Sequence, residues 1–198
     1  PTGDRAPRLR HGRAHAPYQV AKGKQRPRRK SPAPPFITST LQQEASRRRG
    51  VQAKRTMKAA QELYEGVEIG ELGAVGLITY MRTDSLRLSD DAVAAARSFI
   101  SVHYGAAYCP PEPRRYKTKA GAQDAHEAIR PTNAALAPAQ VRQDLTKEQY
   151  MHYRLVWGRF MACQMSNEGY DNVVVDAACA GHIARANSYD PVCHGYTA

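Results

Sequence analysis

The sequence predicts a mainly helical α+β fold, in which one helical domain lies between two strand-forming ends. Helical patterns, with apolar residues three or four positions apart and polar caps before them, fill the middle of the chain. Residues 1–35 are instead rich in Arg, Lys, Pro and Gly, and β-branched runs appear after Gly169. The predicted domains are a basic Pro/Arg-rich segment at 1–30, a helical domain at 31–166, and the start of a strand-rich domain at 167–198.

The N-terminal segment is predicted to be a linker or a strand that belongs to a neighbouring domain. The run from Lys30 to Pro35 cannot be helical, because its prolines lack a backbone donor and fix φ. Residues 1–60 hold 16 Lys and Arg against 2 Asp and Glu, so the net charge of +11 comes entirely from this part of the chain. A solvated basic tail and a DNA-contacting segment both remain open for residues 1–34.

The first helix is predicted to begin at a cap formed by Ser39 or Thr40, each of which has a glutamine three positions later. It should run to about Arg49 and stop at Gly50. A second helix, from about Ala53 to Tyr64, should bury its apolar face. That face comprises Met57, Ala60, Leu63 and Tyr64, whereas the opposite face presents Lys54, Arg55 and Lys58 to a phosphate backbone.

The remaining elements follow from caps and runs. Leu77 to Tyr80 is a short β-like run at the end of a glycine-rich loop. Ser89, followed by two aspartates, should cap a helix that ends near Gly105. Residues 123–129 are predicted to form a short turn, helical or irregular, and Thr146 with Gln149 is predicted to open the last helix. In that helix Trp157 is expected in the core rather than as a base-stacking platform.

Composition indicates a soluble intracellular protein with a polyanionic partner. A sequence pI near 9.7 favours nucleic acid over an anionic membrane surface. No stretch reaches the roughly 20 apolar residues of a membrane span, so the cytoplasm is the expected location. The four cysteines lack paired spacing, which argues against a zinc site and for reduced thiols: Cys109, Cys163, Cys179 and Cys193.

Two short segments carry side chains that suit phosphate chemistry. Tyr80 offers a phenol, Arg82 a guanidinium whose fork can grip two phosphate oxygens, and Asp84 a carboxylate. A phenol is a poor nucleophile at neutral pH unless a cation stabilises its phenolate or the charge on its target. His126 could contact a phosphate or hold a proton, with Glu127 beside it. Neither segment alone identifies a particular reaction, because such combinations of side chains are common.

In combination, several strings resemble the bacterial type IA DNA topoisomerase family. The string GLITYMRTDS at 76–85 is similar to the family's signature around its active-site tyrosine, and AHEAIRPT at 125–132 is similar to a second family motif. The resemblance covers roughly residues 34–166 and departs from the family at 1–24 and 187–194. Further matching strings are PFITSTLQQEAS at 35–46, AKRTMKAAQELYEG at 53–66 and YRLVWGRFMACQM at 153–165.

The resemblance implies the role of each residue. Tyr80 matches the nucleophile that becomes joined to a 5′ phosphate, and Arg82 matches the arginine that positions this phosphate and stabilises its charge. His126 matches a histidine near the bound strand. The expected supporting or DNA-binding residues are Thr83, Asp84, Glu127 and Arg130, with Lys54, Arg55 and Lys58 on the basic helix face.

The resemblance also implies a fold and an activity. The chain would be a fragment, comprising the tyrosine-bearing cap domain flanked by strand-rich pieces of the gate arch. The intact enzyme would be a monomeric isomerase that relaxes negatively supercoiled DNA, acts on a single-stranded segment and needs no ATP. Its Mg²⁺ would be held by an acidic Toprim domain, so no metal ligand is expected in this fragment.

Two other classes of protein remain as alternatives. The first is a non-catalytic, basic module that binds single-stranded nucleic acid, which the charge of residues 1–60 favours. The second is an unrelated tyrosine strand transferase, either a recombinase or a relaxase. A recombinase would need further active-site Arg and His residues, and a relaxase would need a metal-binding histidine cluster. Neither pattern is evident in the sequence.

Overall fold

The computed structural model of the protein describes residues 17–117, 126–179 and 181–198. The described chain mixes helix and strand more evenly than the mainly helical expectation, because the strands at both ends are long. It divides into two compact units. Among the described residues, one comprises 17–30, 167–179 and 181–194, and the other comprises 31–117, 126–166 and 195–198.

The first unit, here called the sheet unit, is a three-stranded antiparallel sheet. Its strands are β1, Gln19–Lys30, then β4, Glu168–Cys179, and β5, His182–Cys193. The order across the sheet is β1-β4-β5, so β4 pairs on both sides. Lys30 lies opposite Glu168 and Gly169 lies opposite Cys193, which places these three strand ends at the same end of the sheet.

The second unit, here called the helical unit, contains the long helices. They are α1, Thr38–Arg49, α2, Ala53–Glu65, α3, Asp90–His103, and α4, Lys147–Gln164. A two-residue ladder joins β2, Val67–Glu68, to β3, Ala74–Val75. Short 3₁₀ turns lie at Gly70–Leu72, Ala106–Tyr108 and Gly195–Thr197. None of the described helices is long and apolar enough to cross a membrane.

Two of the predicted helix caps are confirmed, and one is corrected. The Ser89 hydroxyl accepts from the Ala92 N–H, and Thr146 forms the full capping box with Gln149. Helix α1, however, begins one or two residues before the predicted caps. The Thr40 hydroxyl accepts a hydrogen bond from the Ile37 N–H at 3.0 Å, so Thr40 lies in the first turn instead of before it.

Helix α4 supplies the core of the helical unit, since it packs against two apolar clusters. One cluster is built around Leu63, Ile78 and Tyr153, and the other around Ile100 and Phe160. Trp157 packs against both clusters and donates from its indole nitrogen to the Ala134 carbonyl at 3.1 Å, which confirms its predicted role in the core.

Three local predictions are wrong. Residues 77–80 form no strand, because only Ile78 makes an isolated bridge, to Pro131. Tyr64, expected in the core, is 42% exposed. In the predicted turn at 123–129, residues 123–125 lie outside the described residues. Residues 126–129 are not helical, since Ile129 bridges Phe36 in an antiparallel pairing.

Candidate active site

The residue before Tyr80 fixes the tyrosine's backbone to a distant segment. The Thr79 hydroxyl donates to the Ala128 carbonyl at 2.8 Å and accepts from the Arg130 N–H at 3.0 Å. The Thr79 N–H in turn donates to the Arg130 carbonyl at 2.9 Å. The 76–85 and 126–132 motifs, separate in sequence, therefore form one structure.

Residues after Tyr80 are held by the start of helix α1. The Thr38 hydroxyl donates to the Met81 carbonyl at 2.8 Å and accepts from the Thr83 N–H at 2.9 Å. The Thr38 N–H also donates to the Thr83 carbonyl at 3.0 Å. Ile78 and Met81 are both buried, so the backbone on each side of Tyr80 is fixed by packing as well as by hydrogen bonds.

Tyr80 itself projects from this fixed backbone and remains 40% exposed. Its ring lies against Tyr64 in an edge-on arrangement, with centroids 5.5 Å apart, and against His126 with centroids 5.7 Å apart. These ring contacts restrict the side chain while leaving the phenol accessible. Tyr64 was missed as a site residue because its helical spacing favoured the core.

A cavity of about 450 Å³ adjoins His126. Helix α1 directs its N-terminus to this cavity and has no acidic residue in its first turn, so the helix dipole there favours an anion. Arg82 is exposed and adds a permanent positive charge, whereas Asp84 is the one carboxylate in the lining. The lining comprises Ile37, Thr38, Ser39, Gln42, Arg82, Thr83, Asp84 and His126.

Sequence reasoning therefore found four residues of this lining, Arg82, Thr83, Asp84 and His126, and missed three contributed by helix α1 and its N-cap residue Ile37. A signal for them was present, since Ser39 and Thr40 marked a helix start within a matching string. The misplaced cap hid the role of Thr38.

Glu127 and Arg130 form an ion pair beside the site. The Arg130 Nη2 lies 2.6 Å from the Glu127 Oε2, and the Arg130 Nη1 donates to the Pro131 carbonyl at 3.0 Å. Both side chains are largely buried, with 16% and 19% exposure. Both interactions join residues of the 126–132 segment to one another, so they stabilise the conformation of that segment.

The predicted basic face of helix α2 is exposed but already partly neutralised. The Arg55 Nη2 lies 2.9 Å from the Glu148 Oε2, and this hydrogen bond lowers the pKa of Glu148. The Lys58 Nζ lies 3.9 Å from Glu62, one turn along the helix. Lys54 is exposed on the same helix.

Three potential nucleophiles of the helical unit, Cys163, Tyr116 and Tyr153, are unsuited to attack. Burial raises the pKa of the Cys163 thiol to about 12, and it raises the pKa of the phenols of Tyr116 and Tyr153. Each phenol also donates its proton to a backbone carbonyl, that of Cys163 for Tyr116 and that of Leu136 for Tyr153. Tyr80 differs from them in its exposure and in its contact with His126, which lines the cavity at Arg82.

Comparison with known proteins places the chain in a family. The sequence profile of the DNA topoisomerase family matches residues 6–198. DNA topoisomerase 1 of Rickettsia felis is 49% identical over 173 residues, which is 86% of this chain and 22% of that protein. DNA topoisomerase 1 of Xylella fastidiosa, strain 9a5c, is 47% identical over 189 residues, or 91% of this chain and 23% of that protein.

A solved structure agrees with these sequence matches. Full-length topoisomerase I from Thermotoga maritima superposes with a TM-score of 0.83 at 35% identity, covering 96% of this chain and 31% of that one. The chain belongs to the bacterial type IA DNA topoisomerase family. It spans about a fifth of the length of the curated relatives that it matches.

Proposed function

We propose that this chain carries the strand-cleaving tyrosine of a type IA DNA topoisomerase. The Tyr80 phenolic oxygen attacks a DNA phosphate and forms a 5′-phosphotyrosyl ester, while the bond from phosphorus to the 3′ oxygen breaks. The phenol loses its proton and the departing 3′ oxygen gains one, and the reverse reaction reseals the strand. The observation that supports this most is the exposed Tyr80 ring, on a fixed backbone, against a histidine that lines the same cavity as Arg82.

The neighbouring residues would bind and orient the phosphate. Arg82 would grip two of its oxygens and stabilise the charge that builds up during attack. Thr83 and the N-terminus of helix α1 complete the cavity, and His126 would contact the strand or hold a proton near the phenol. Asp84 is assigned only a supporting role, and Glu127 and Arg130 orient the segment that holds Thr79.

The same proposal accounts for the cofactors. The phosphotyrosyl ester retains the energy of the phosphodiester, so resealing needs no ATP. Among the described residues no group of three or more His, Cys, Asp or Glu side chains could hold a metal ion. The described residues therefore do not fit a Mg²⁺ site, and no step proposed for them passes through the metal, which the resemblance assigns to a Toprim domain.

For the whole protein, the proposal extends to strand passage and the relaxation of negatively supercoiled DNA by a monomeric, cytoplasmic isomerase. The helical unit would be the tyrosine-bearing cap, and the sheet unit would be part of the gate arch. A single-stranded DNA segment is the expected substrate, as the family resemblance implies.

The test is covalent capture of an end-labelled single strand. We would exchange this chain for the matching segment of Rickettsia felis DNA topoisomerase 1 and compare three versions of the chimaera: unchanged, Tyr80→Phe and Tyr64→Phe. The adduct should disappear only in Tyr80→Phe, which removes one hydroxyl and no packing. Tyr64→Phe is the matched control, since it removes a neighbouring hydroxyl.

Peptide mapping of the adduct completes the test. A 5′-phosphoryl link to the peptide that contains Tyr80 is the expected product. An adduct that persists in Tyr80→Phe, or a link through the 3′ phosphate, would contradict the proposal.

A further inference from the structure

One face of the sheet unit carries a straight row of cations. Strand β1 places Lys22, Lys24, Arg26 and Arg28 at alternate positions, so their side chains lie on the same face. All four are exposed. They line a groove of about 260 Å³ together with Asn172, Val174, Asp176 and Arg185. We call this surface the basic face.

The positive charge of β1 is concentrated on this face. Among the β1 residues between Gly23 and Arg29, the opposite face carries one cation, Arg29. Gln25 lies on that face and donates to Asp171 at 2.8 Å, and Asp171 pairs in the ladder with Asp190. One cation is thus offset by two carboxylates there, whereas the basic face has a large positive excess.

Asp176, the carboxylate that lines this groove, already has a partner; Glu168, opposite Lys30 at the end of the row, accepts a hydrogen bond from the Tyr189 hydroxyl. Arg185 binds Asp176 through two hydrogen bonds, at 2.7 and 3.0 Å, and hydrogen bonding from Arg185 lowers the pKa of Asp176. The four cations of β1 therefore face a groove whose single acidic group is engaged by a fifth cation. Such a surface suits a polyanion better than a single carboxylate.

An aromatic pair lies at one end of the row. Tyr170 is the ladder partner of Arg28, and Tyr189 is paired with Asn172 on the adjacent strand. Their rings lie 4.3 Å apart at an angle of 30°, and Tyr189 is half exposed. Cations along a groove with aromatic rings beside them are the combination that binds single-stranded nucleic acid, because phosphates meet the charges and bases stack on the rings.

We propose that the basic face binds the phosphate backbone of one extended DNA strand, as a second DNA-binding surface separate from the cavity at Arg82. Alternate residues of a β-strand are about 6.6–6.8 Å apart, which is the scale on which phosphates repeat in an extended single strand. A duplex would meet the charges but could not offer a base to the tyrosine rings. This inference goes beyond the proposed function, since it requires neither Tyr80 nor cleavage.

The test compares two adjacent arginines of the same strand. Arg28→Gln removes a charge from the basic face, and Arg29→Gln removes the same charge from the opposite face. Binding of a labelled 20-nucleotide strand by the full chain would be followed by fluorescence anisotropy in a salt series. Arg28→Gln should weaken binding about fivefold at 0.1 M salt and reduce the salt slope by about 0.7. Arg29→Gln should leave both nearly unchanged.

A larger change should produce a proportionate effect. Arg26→Gln with Arg28→Gln should weaken binding about 25-fold and reduce the slope by about 1.4. Repeating the series in an Arg82→Ala background separates the two surfaces, since independent sites give additive effects. Equal losses for Arg28→Gln and Arg29→Gln, or no loss for either, would overturn the proposal.

Two further experiments test where the DNA binds and whether the bound DNA is a single strand. A strand that carries 5-iodouracil should cross-link on irradiation to Tyr170 or Tyr189, and cross-links confined to the helical unit would count against the basic face. A blunt duplex of the same length should compete weakly, so equal competition would refute the preference for a single strand. Capture at Tyr80 could fail while this binding persists, which keeps this proposal distinguishable from the proposed function.

Discussion

At the scale of single residues, Thr38 shows how one small side chain can organise the site. Through its hydroxyl and its own N–H, this residue binds the backbone of Met81 and of Thr83, just after Tyr80. The Met81 and Thr83 groups that it satisfies would otherwise lie unpaired beside a buried methionine, at a cost of roughly 1–3 kcal/mol each. The position of Tyr80 thus depends on a residue more than 40 positions earlier in the chain.

Gly76 gives a prediction at the same scale. A Cβ built there would lie 2.7 Å from the Tyr64 carbonyl oxygen, which is backbone and cannot move away cheaply. Gly76→Ala should therefore destabilise the helical unit by about 1–3 kcal/mol. It should also displace Tyr64 from the Tyr80 ring, and urea unfolding would measure the loss of stability.

The control for that substitution is Gly158 in helix α4. A Cβ there would meet nothing within 4 Å. Gly158→Ala should raise stability by about 0.5–1 kcal/mol, because alanine loses less backbone freedom in a helix. A loss of stability in Gly158→Ala, or none in Gly76→Ala, would contradict the predicted clash between a Cβ at position 76 and the Tyr64 carbonyl oxygen.

A second prediction at this scale concerns Arg82. In the chimaera, Arg82→Ala should slow strand cleavage about 10²–10³-fold, because one charge-stabilising donor is lost. Arg82→Lys should recover only part of the rate, since an ammonium keeps the charge but loses the two-pronged grip. Single-turnover cleavage of an end-labelled strand would measure both. Equal rates for Arg82→Ala and the unchanged protein would contradict the role.

At the scale of elements, helix α1 is fixed through a buried carboxylate. Glu44 is only 5% exposed and pairs with Arg47 and Arg48 on its own helix. Arg159 of helix α4 lies 3.6 Å from Glu44, and its guanidinium lies over the Phe36 ring at 4.4 Å. The Phe36 carbonyl accepts a hydrogen bond from the Ile129 N–H at 2.8 Å. The Glu44 ion network therefore connects helices α1 and α4, and Phe36, which packs against Arg159, connects them to the segment that carries His126.

This network predicts a dependence of stability on pH. Burial acts to raise the pKa of Glu44, but hydrogen bonds from Arg48 and Arg47 outweigh it, and the pKa lies below its ordinary value. A lowered folded pKa stabilises the protein above the unfolded value, near 4.3, and this stabilisation is lost as the pH falls through the folded value. Glu44→Gln should flatten the decline of Tm between about pH 5 and pH 3.

The matched control is Glu68→Gln, which neutralises an exposed carboxylate on β2. It should leave the shape of the Tm profile unchanged. If the Tm of Glu44→Gln falls with decreasing pH as steeply as the Tm of the unchanged chain, the network does not contribute to acid sensitivity.

The elements also show which features could be predicted from sequence. Helices α3 and α4 were predicted with their caps, because Ser89 and Thr146 bind N–H groups three residues away and such patterns are local. The β-like run around Ile78 predicts a strand, but only Ile78 forms a bridge, to Pro131. Because this partner lies more than 50 residues away, a local pattern could not show how little of the run would pair. The contact between Tyr64 and Tyr80 could not be predicted, since helical periodicity describes one face of one helix and not what it meets.

At the scale of the whole molecule, the two units differ in how they are stabilised. The helical unit contains both apolar clusters. Among the described residues of the sheet unit, only Glu168 and Cys179 are buried. The sheet therefore depends mainly on its ladder hydrogen bonds and on cross-strand pairs, which contribute roughly 0.2–1 kcal/mol each.

Hydrogen exchange should reveal this difference. Amides of β1 and β5 should exchange at least about tenfold faster than those of the central turns of helix α4, because exposed strands open without disrupting an apolar core. Exchange followed by mass spectrometry of peptides from 19–30, 182–193 and 150–162 would measure the ratio. Equal protection in all three would show that the sheet is as stable as the core.

The bonds that hold Tyr80 join positions 43 to 51 residues apart, and this separation affects how the protein folds. Closing such loops costs chain entropy before any contact compensates for it, so pairings of this range tend to form after local helices. A chain still folding would then carry the phenol without the histidine, the arginine and the fixed backbone around it. If Tyr80 cleaves DNA as proposed, that capacity would arise only once the chain has folded, so immature molecules would not cleave DNA.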